Sequence, residues 1–500
     1  MILAQCAVAS TGRGCLIVLS AAVATVGCGE TNRITAPDDP SPPRFENVSS
    51  SLPLPVDQGD YGAFWADFDN DDRADLVFMG HGNPPLMLRQ QDDGEFLDVS
   101  ASNGLKSGDW EYPQQRDRHG ASCADVDKDG FSDLFITHGA LRGETLGIKY
   151  DELLIGNGDF TFDDVSRRAG SLNTFGRGRQ GTWADVDNDG WLDLYVTNFQ
   201  STNVLYRNNG DGGFTDVTAS SGLGVEGFRA SWSDFDQDGD VDVLLASPLR
   251  LFQNNGNGEF EDVTRRLRIE EDTFAYGLAW ADLDGDGDQD FIISAQSFPV
   301  QAFMNRGDHF ERLTNAPFAV PDGRRVNGIA PADIDNDGDI DLVSNTADGI
   351  QIHTNAGGMR YLLETISPRV VAQNDYRHGD IAIADYDNDG LLDIASDDPE
   401  GYKLFRNTSA SAGHWLRLVF RGVASDTLGF GNKIWVTVND ELIAFREYHG
   451  AVAGLRSFGC SPLQIGLGDH DQVDVRVLWP DGTESILADV AADQSIVVTQ

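Results

Sequence analysis

Lysine is scarce in this 500-residue chain: only five of 36 basic residues are lysine, and the other 31 are arginine. They face 81 aspartates and glutamates, for a formal charge of -45. That balance excludes a nucleic-acid-binding surface, because phosphate contacts need a net basic face. Cysteine is also scarce. Cys6, Cys15 and Cys28 stand near the N-terminus, leaving Cys123 and Cys460 for the body of the chain. No disulfide framework follows, and Cys123 reads as a buried thiol. The apolar run from Cys15 to Gly27 is too short for a membrane span and suits a signal-peptide core. Gly-x-Ser-x-Gly, His-Glu-x-x-His and a phosphate-binding glycine loop are absent, so no nucleophile constellation stands out.

What the chain has in abundance is aspartate in a fixed order. Asp185-Val186-Asp187-Asn188-Asp189-Gly190-Trp191-Leu192-Asp193 places carboxylates at loop positions 1, 3, 5 and 9 and a glycine at 6. That order makes an oxygen cage for a hard cation of calcium size. The aspartates of the first two copies are Asp67, Asp69, Asp71, Asp75 and Asp125, Asp127, Asp129, Asp133. After the third (Asp185, Asp187, Asp189, Asp193) come Asp234, Asp236, Asp238, Asp242 and Asp282, Asp284, Asp286, Asp290. The last two are Asp333, Asp335, Asp337, Asp341 and Asp385, Asp387, Asp389, Asp393. In the first copy Asp72 replaces the glycine, which marks that loop as the weakest. An EF-hand would need glutamate at position 12, where these copies have Phe78, Ile136, Val196, Leu245, Ile293, Ser344 and Ser396.

Successive copies lie 58, 60, 49, 48, 51 and 52 residues apart, a period that reads as a propeller or solenoid. The third copy predicts four strands: Gly181 to Ala184, Leu194 to Thr197, Val204 to Asn208 and Phe214 to Thr218, with a tight turn at Asn209-Gly210-Asp211-Gly212. Four antiparallel strands per repeat make one propeller blade. The fourth-strand signature is missing after the seventh loop and appears before the first, as Phe45-Glu46-Asn47-Val48-Ser49. This segment is therefore expected to complete the seventh blade beside Tyr402 to Asn407 and close the ring. From about Ser409 the loops give way to apolar strands at Trp415 to Val419, Ile434 to Val438, Val473 to Leu478 and Ile496 to Val498, read as a small β-sandwich.

The repeats resemble FG-GAP (VCBS-type) repeats, similar to those of integrin α-subunit propellers. Gly466-Leu467-Gly468 and Val473 to Gly482 resemble the ASPIC/UnbV domain. The resemblance implies that the 28 loop aspartates bind up to seven calcium ions in a structural role, and that the protein is exported and adhesive. It supplies no activity. Where that domain often has a Gly-Tyr-Ser-rich turn, this chain has Ala453 to Phe458.

The expected organisation is a signal peptide over 1–27, a Pro-rich tether over 28–44, an all-β seven-bladed propeller over 45–408 and the sandwich over 409–500. Thr25-Val26-Gly27-Cys28 resembles a bacterial lipoprotein box, pointing to lipidation of Cys28 at the outer membrane or cell surface. Ordinary cleavage after Ala24, giving a secreted or periplasmic protein, is the alternative. Segments entering the first strand of each blade should converge on one face. They carry Tyr61, Arg116, Arg118, His119, Arg177, Arg179, Phe228, Arg229, Tyr276, Arg324, Arg325, Asn327, Arg377 and His378, and the insertion before Arg118 adds Trp110 and Tyr112. Two readings stay open for these arginines: an anion-binding funnel, or ion pairs with the loop aspartates. The leading function is binding of a protein or acidic glycan at the cell envelope. Alternatives are a lyase-like enzyme using His119 or His378 on an anionic polysaccharide, and an assembly scaffold.

Overall fold

The computed structural model describes residues 42–500 except 54–61, 81–84, 106–117, 140–149, 172, 175, 270–274, 276, 295–299, 314–317, 319–325, 347, 369–378, 399–400, 411 and 451–458; at 327 and 398 it describes the backbone alone. The chain divides into two units, Met1–Pro40 and Ser41–Gln500. The first lies outside the described residues, and with it Cys28 and the expected signal peptide. Among the described residues no helix is long and apolar enough to cross a membrane.

Seven four-stranded antiparallel sheets make the blades, each with its strands in chain order from first to fourth, apart from the seventh. In the third blade the strands are Gly178–Ala184, Asp193–Asn198, Val204–Asn208 and Phe214–Asp216. The first strand is buried at every residue, because neighbouring blades cover both its faces. The fourth buries only its phenylalanine. It ends two residues earlier than the pattern predicts: Asp216 Oδ1 accepts the Thr218 N–H at 3.0 Å, and a short helix, Thr218–Ser221, begins there.

The ring closes as expected. Phe45–Asn47 pairs antiparallel with Gly401–Asn407, Phe45 opposite Asn407 and Asn47 opposite Phe405, and supplies the outer strand of the seventh blade. Blades are locked to one another by tryptophans of the first strands. Trp183 donates to Ser122 Oγ of the preceding blade at 3.0 Å, Trp232 to Thr182 Oγ1 at 2.9 Å and Trp280 to the Ser231 carbonyl at 3.3 Å. Each indole thus satisfies its single donor, and Trp183 and Trp232 bury their rings as well.

The C-terminal sandwich has one sheet of Leu463–Gly468, His414–Arg421 and Gln494–Thr499, and another of Glu441–Tyr448, Asn432–Val438, Gln472–Leu478 and Glu484–Ala491. Its core of Leu416, Phe420, Ile434, Val475 and Trp479 is continuous with the apolar core of blades one to three. Cys123 corrects the sequence expectation. It is no free thiol but is disulfide-bonded to Cys460, 337 residues away, joining the second blade to the sandwich. Cys460 also donates its N–H to the Trp65 carbonyl at 3.0 Å. Cys123 stands where other blades have tryptophan, and here the sandwich edge takes the place of an indole.

Candidate metal loops and the arginine cluster

Three of the four aspartates of a loop each bond a different part of the backbone. In the third loop Asp185 Oδ1 accepts the Asp189 N–H (3.1 Å) and Oδ2 accepts the Gly190 N–H (2.8 Å), while Asp189 Oδ1 accepts from Trp191 (2.9 Å). Asp193 bonds the Val186 N–H (3.0 Å) through one oxygen and the Asn208 N–H of the third strand (2.8 Å) through the other. This double bond of the ninth position recurs in all seven loops, so that carboxylate ties loop to third strand. The turn needs left-handed backbone at positions 4 and 6. Asp72, the feature that marked the first loop as weakest, adopts that conformation at φ 63° and donates its N–H to Asp67 Oδ2 at 3.0 Å, as the glycines of the other loops do. Position 4 also links three of the loops to the next. Asn70 donates to the Gly130 carbonyl (2.8 Å), Gln237 to Gly287 (3.0 Å) and Asn336 to Gly390 (2.8 Å).

These loops fit a divalent cation. Oxygens from positions 1, 3 and 9 lie within 4.8 Å of one another in the loops beginning at Asp125, Asp185, Asp234 and Asp282. Position 3 is the one the backbone leaves over: Asp69, Asp187, Asp335 and Asp387 each keep a buried Oδ1 without a partner. Burial pushes the ninth-position carboxyls up, Asp75 and Asp290 to about 8 and Asp242 to about 9, with Asp133, Asp193, Asp341 and Asp393 well above the ordinary range. The arginines that reach the loops from the ends of the third strands are too peripheral to offset that burial. Arg89 meets Asp69 at 2.5 Å, Arg306 meets Asp284 at 3.1 Å and Arg406 meets Asp387 at 2.5 Å, all partly exposed arginines. An ion at the centre of each loop would supply the missing charge.

The sandwich docks onto this loop face, and three of its contacts reach the same atom of a first-position aspartate. Thr427 Oγ1 donates to Asp125 Oδ2, Lys433 Nζ to Asp234 Oδ2, and the Gly466 N–H to Asp333 Oδ2 at 3.1 Å. Glu447 adds a carboxylate that accepts from the Asp234 N–H (2.9 Å) and Ser233 Oγ (2.6 Å). The first aspartates of loops two, four and six therefore turn Oδ2 outward to the second domain. The aspartates and Gly466 belong to motifs, but nothing in either motif marks its partner.

The described members of the candidate ligand face are largely buried. Arg118 forms a two-pronged pair with Glu152 (2.7 and 3.0 Å), which also meets His138 Nε2 at 2.8 Å. The Arg118 guanidinium and His138 hold the Glu152 carboxyl well below its usual range despite full burial. Arg118 thus pairs with a carboxylate that is not in a metal loop. His119 and Arg179 come together beside Gly139, where a side chain would strike both. The Arg177 and Arg179 guanidinium groups lie over the Phe199 ring, each at 5.0 Å, and Arg229 lies over Phe228 at 4.4 Å; the two rings are 5.9 Å apart. Arg177, Phe199 and Phe228 are the partly exposed members of this cluster. Tyr61, Trp110, Tyr112, Arg116, Tyr276, Arg324, Arg325, Arg377, His378, the Asn327 side chain and the turn Ala453 to Phe458 lie outside what is described.

The model of the FG-GAP-like repeat matches residues 125–196, 185–245, 234–293 and 333–396, and that of ASPIC and UnbV matches 422–500. The chain is similar to cartilage acidic protein 1 of Xenopus tropicalis, 24% identical over 88% of this chain and 74% of that protein. It is also similar to the Homo sapiens protein of that name, 24% identical over 66% of this chain, and spans 44% of that protein's length. Among solved structures, a lectin of Agrocybe aegerita described as recognising non-reducing terminal N-acetylglucosamine is 20% identical, with a TM-score of 0.44 over 63% of this chain and 81% of the lectin. A BBS1N domain bound to ARL6DN gives 9% identity and a TM-score of 0.46, over 71% of this chain and 94% of that one.

Proposed function

For a chain built of FG-GAP-like repeats and an ASPIC/UnbV domain, we propose the function of an exported, calcium-organised binding protein that recognises an acidic glycan at the cell envelope. The observation that carries this reading is the ring of like-built carboxylate loops with orphaned position-3 oxygens. Asp185, Asp187, Asp189 and Asp193, and their counterparts in the other six loops, would hold calcium. The ion would supply charge compensation, which lets four carboxylates share one turn. Calcium at extracellular concentration suits such a site, and so does the Cys123–Cys460 bond, since structural disulfides persist in oxidising compartments.

The recognition face proposed is the one opposite the loops, where segments enter the first strands. The partly exposed Arg177 guanidinium, which lies over the Phe199 ring, would be the group to meet carboxylate or sulfate oxygens. Arg118 is left out of this role because Glu152 already takes it.

A thermal-shift series of the full chain in saturating calcium, with acidic and neutral oligosaccharides, tests the proposal. A ligand at a hundred times its dissociation constant contributes about 2.7 kcal/mol. The expected result is a shift with acidic sugars that a paired Arg177→Ala, Arg377→Ala variant loses. No shift with any acidic sugar would overturn the glycan reading and turn the search to protein partners.

A further inference from the structure

Between the loop face of blades five to seven and the sandwich lies a cavity of about 120 Å³, distinct from the arginine cluster. Its walls are mostly apolar and include Trp280, Ile383 and Leu392. Trp280 departs from its own repeat: Trp65, Trp183 and Trp232, at the same place in other blades, are 1%, 2% and 4% exposed, whereas Trp280 is only partly buried. Its indole N–H is already committed to the Ser231 carbonyl, so what it offers the cavity is a ring surface.

The polar groups in the wall divide by what they have left. Arg446 donates to the carbonyls of Phe445 (2.8 Å) and Gly338 (3.1 Å). Glu447 is taken by Ser233, Asp234 and His449. Asp282 and Asp333 belong to metal loops. Two side chains that are more than nine-tenths buried remain, Gln289 and Gln464, 4% and 9% exposed, and the Oε1 of each has no partner. The Gln464 amide is oriented by its Nε2, which donates to the Gly390 carbonyl at 2.9 Å. A buried unpaired amide oxygen is costly and calls for a donor.

We propose that this cavity binds a neutral, hydroxyl-bearing ring of monosaccharide size. Its spare hydrogen-bonding capacity is of acceptors, so the ligand must donate. Glu447 is taken within the fold, Arg446 faces Asp333 at 3.7 Å and calcium would compensate the loop aspartates. No carboxylate in the wall is thus spare for an ammonium ion, and hydroxyl donors fit. The apolar wall with a bare indole face suits the C–H face of a sugar ring. The volume admits on the order of ten waters, comparable to one ring with its hydroxyls and too small for a chain.

The test uses the full chain in saturating calcium, titrated with glucose, galactose and mannose, with ethanolamine as the cationic comparison. Saturation-transfer NMR reports binding, and indole fluorescence reports its place. At least one hexose is expected to bind in the millimolar range and to change the fluorescence. Gln289→Met, whose amide makes no hydrogen bond within the fold, should weaken binding about tenfold with an unchanged melting temperature. Gln464→Met should act in the same direction, and Arg177→Ala should leave hexose binding intact, which separates this site from the arginine cluster. Hexose binding absent in the unmodified chain, equal in both glutamine variants, or exceeded by ethanolamine binding would overturn the proposal.

Discussion

Replacing Lys433 with methionine isolates the link between calcium and the second domain. The ammonium is 8% exposed and Asp234 4%, and burial raises the Asp234 carboxyl even with that cation beside it. In a chelator at pH 8, Lys433 is the ion-pair partner of the fourth loop. Removing it strands a buried carboxylate, which costs about 3–5 kcal/mol. With calcium bound, the ion compensates Asp234, Asp236, Asp238 and Asp242 together, and the substitution should cost no more than about 1 kcal/mol, the worth of an ordinary hydrogen bond. Linkage then requires the variant's fourth loop to bind calcium more tightly, by about 2–4 kcal/mol, or on the order of 30- to 1000-fold. Urea denaturation followed by tryptophan fluorescence, with calcium and with chelator, measures the two costs, and calcium titration measures the affinity. Equal costs in both conditions with unchanged calcium affinity would refute the reasoning.

Two further outcomes follow from the loops. The ninth-position carboxyls of Asp75, Asp242 and Asp290 are raised in the fold, to about 8, 9 and 8. The stability they contribute to metal-free protein is thus fully present below about pH 4 and lost as pH rises through 8 to 9. Chelated protein should melt higher at pH 5.5 than at pH 8, and calcium-loaded protein should show the opposite order, because protons compete with the ion; parallel melting curves would count against metal in these loops. Asp72→Gly relieves a left-handed aspartate at φ 63° and should stabilise the first blade by about 0.5–1 kcal/mol without loss of calcium stoichiometry, as read by urea midpoint and metal analysis.

The sequence alone determined what depends on neighbours along the chain. The loop is closed by bonds two, four and five residues apart, such as Trp191 to Asp189, Asp189 to Asp185 and Gly190 to Asp185, so its residue types recur at fixed spacing and can be read seven times. Closure by Phe45–Asn47 was equally legible, because the orphaned fourth-strand signature kept its pattern although its partner strand is Gly401–Asn407. What only the tertiary structure decided are contacts whose partners come from unrelated segments: Cys123 with Cys460, Arg118 with Glu152, Lys433 with Asp234, Gly466 with Asp333. Each joins single residues whose own pattern, where they have one, does not mark the partner, at separations fixed by the path of the ring and the seating of the sandwich. Periodicity records local geometry, and a one-time contact between distant segments leaves no period to find.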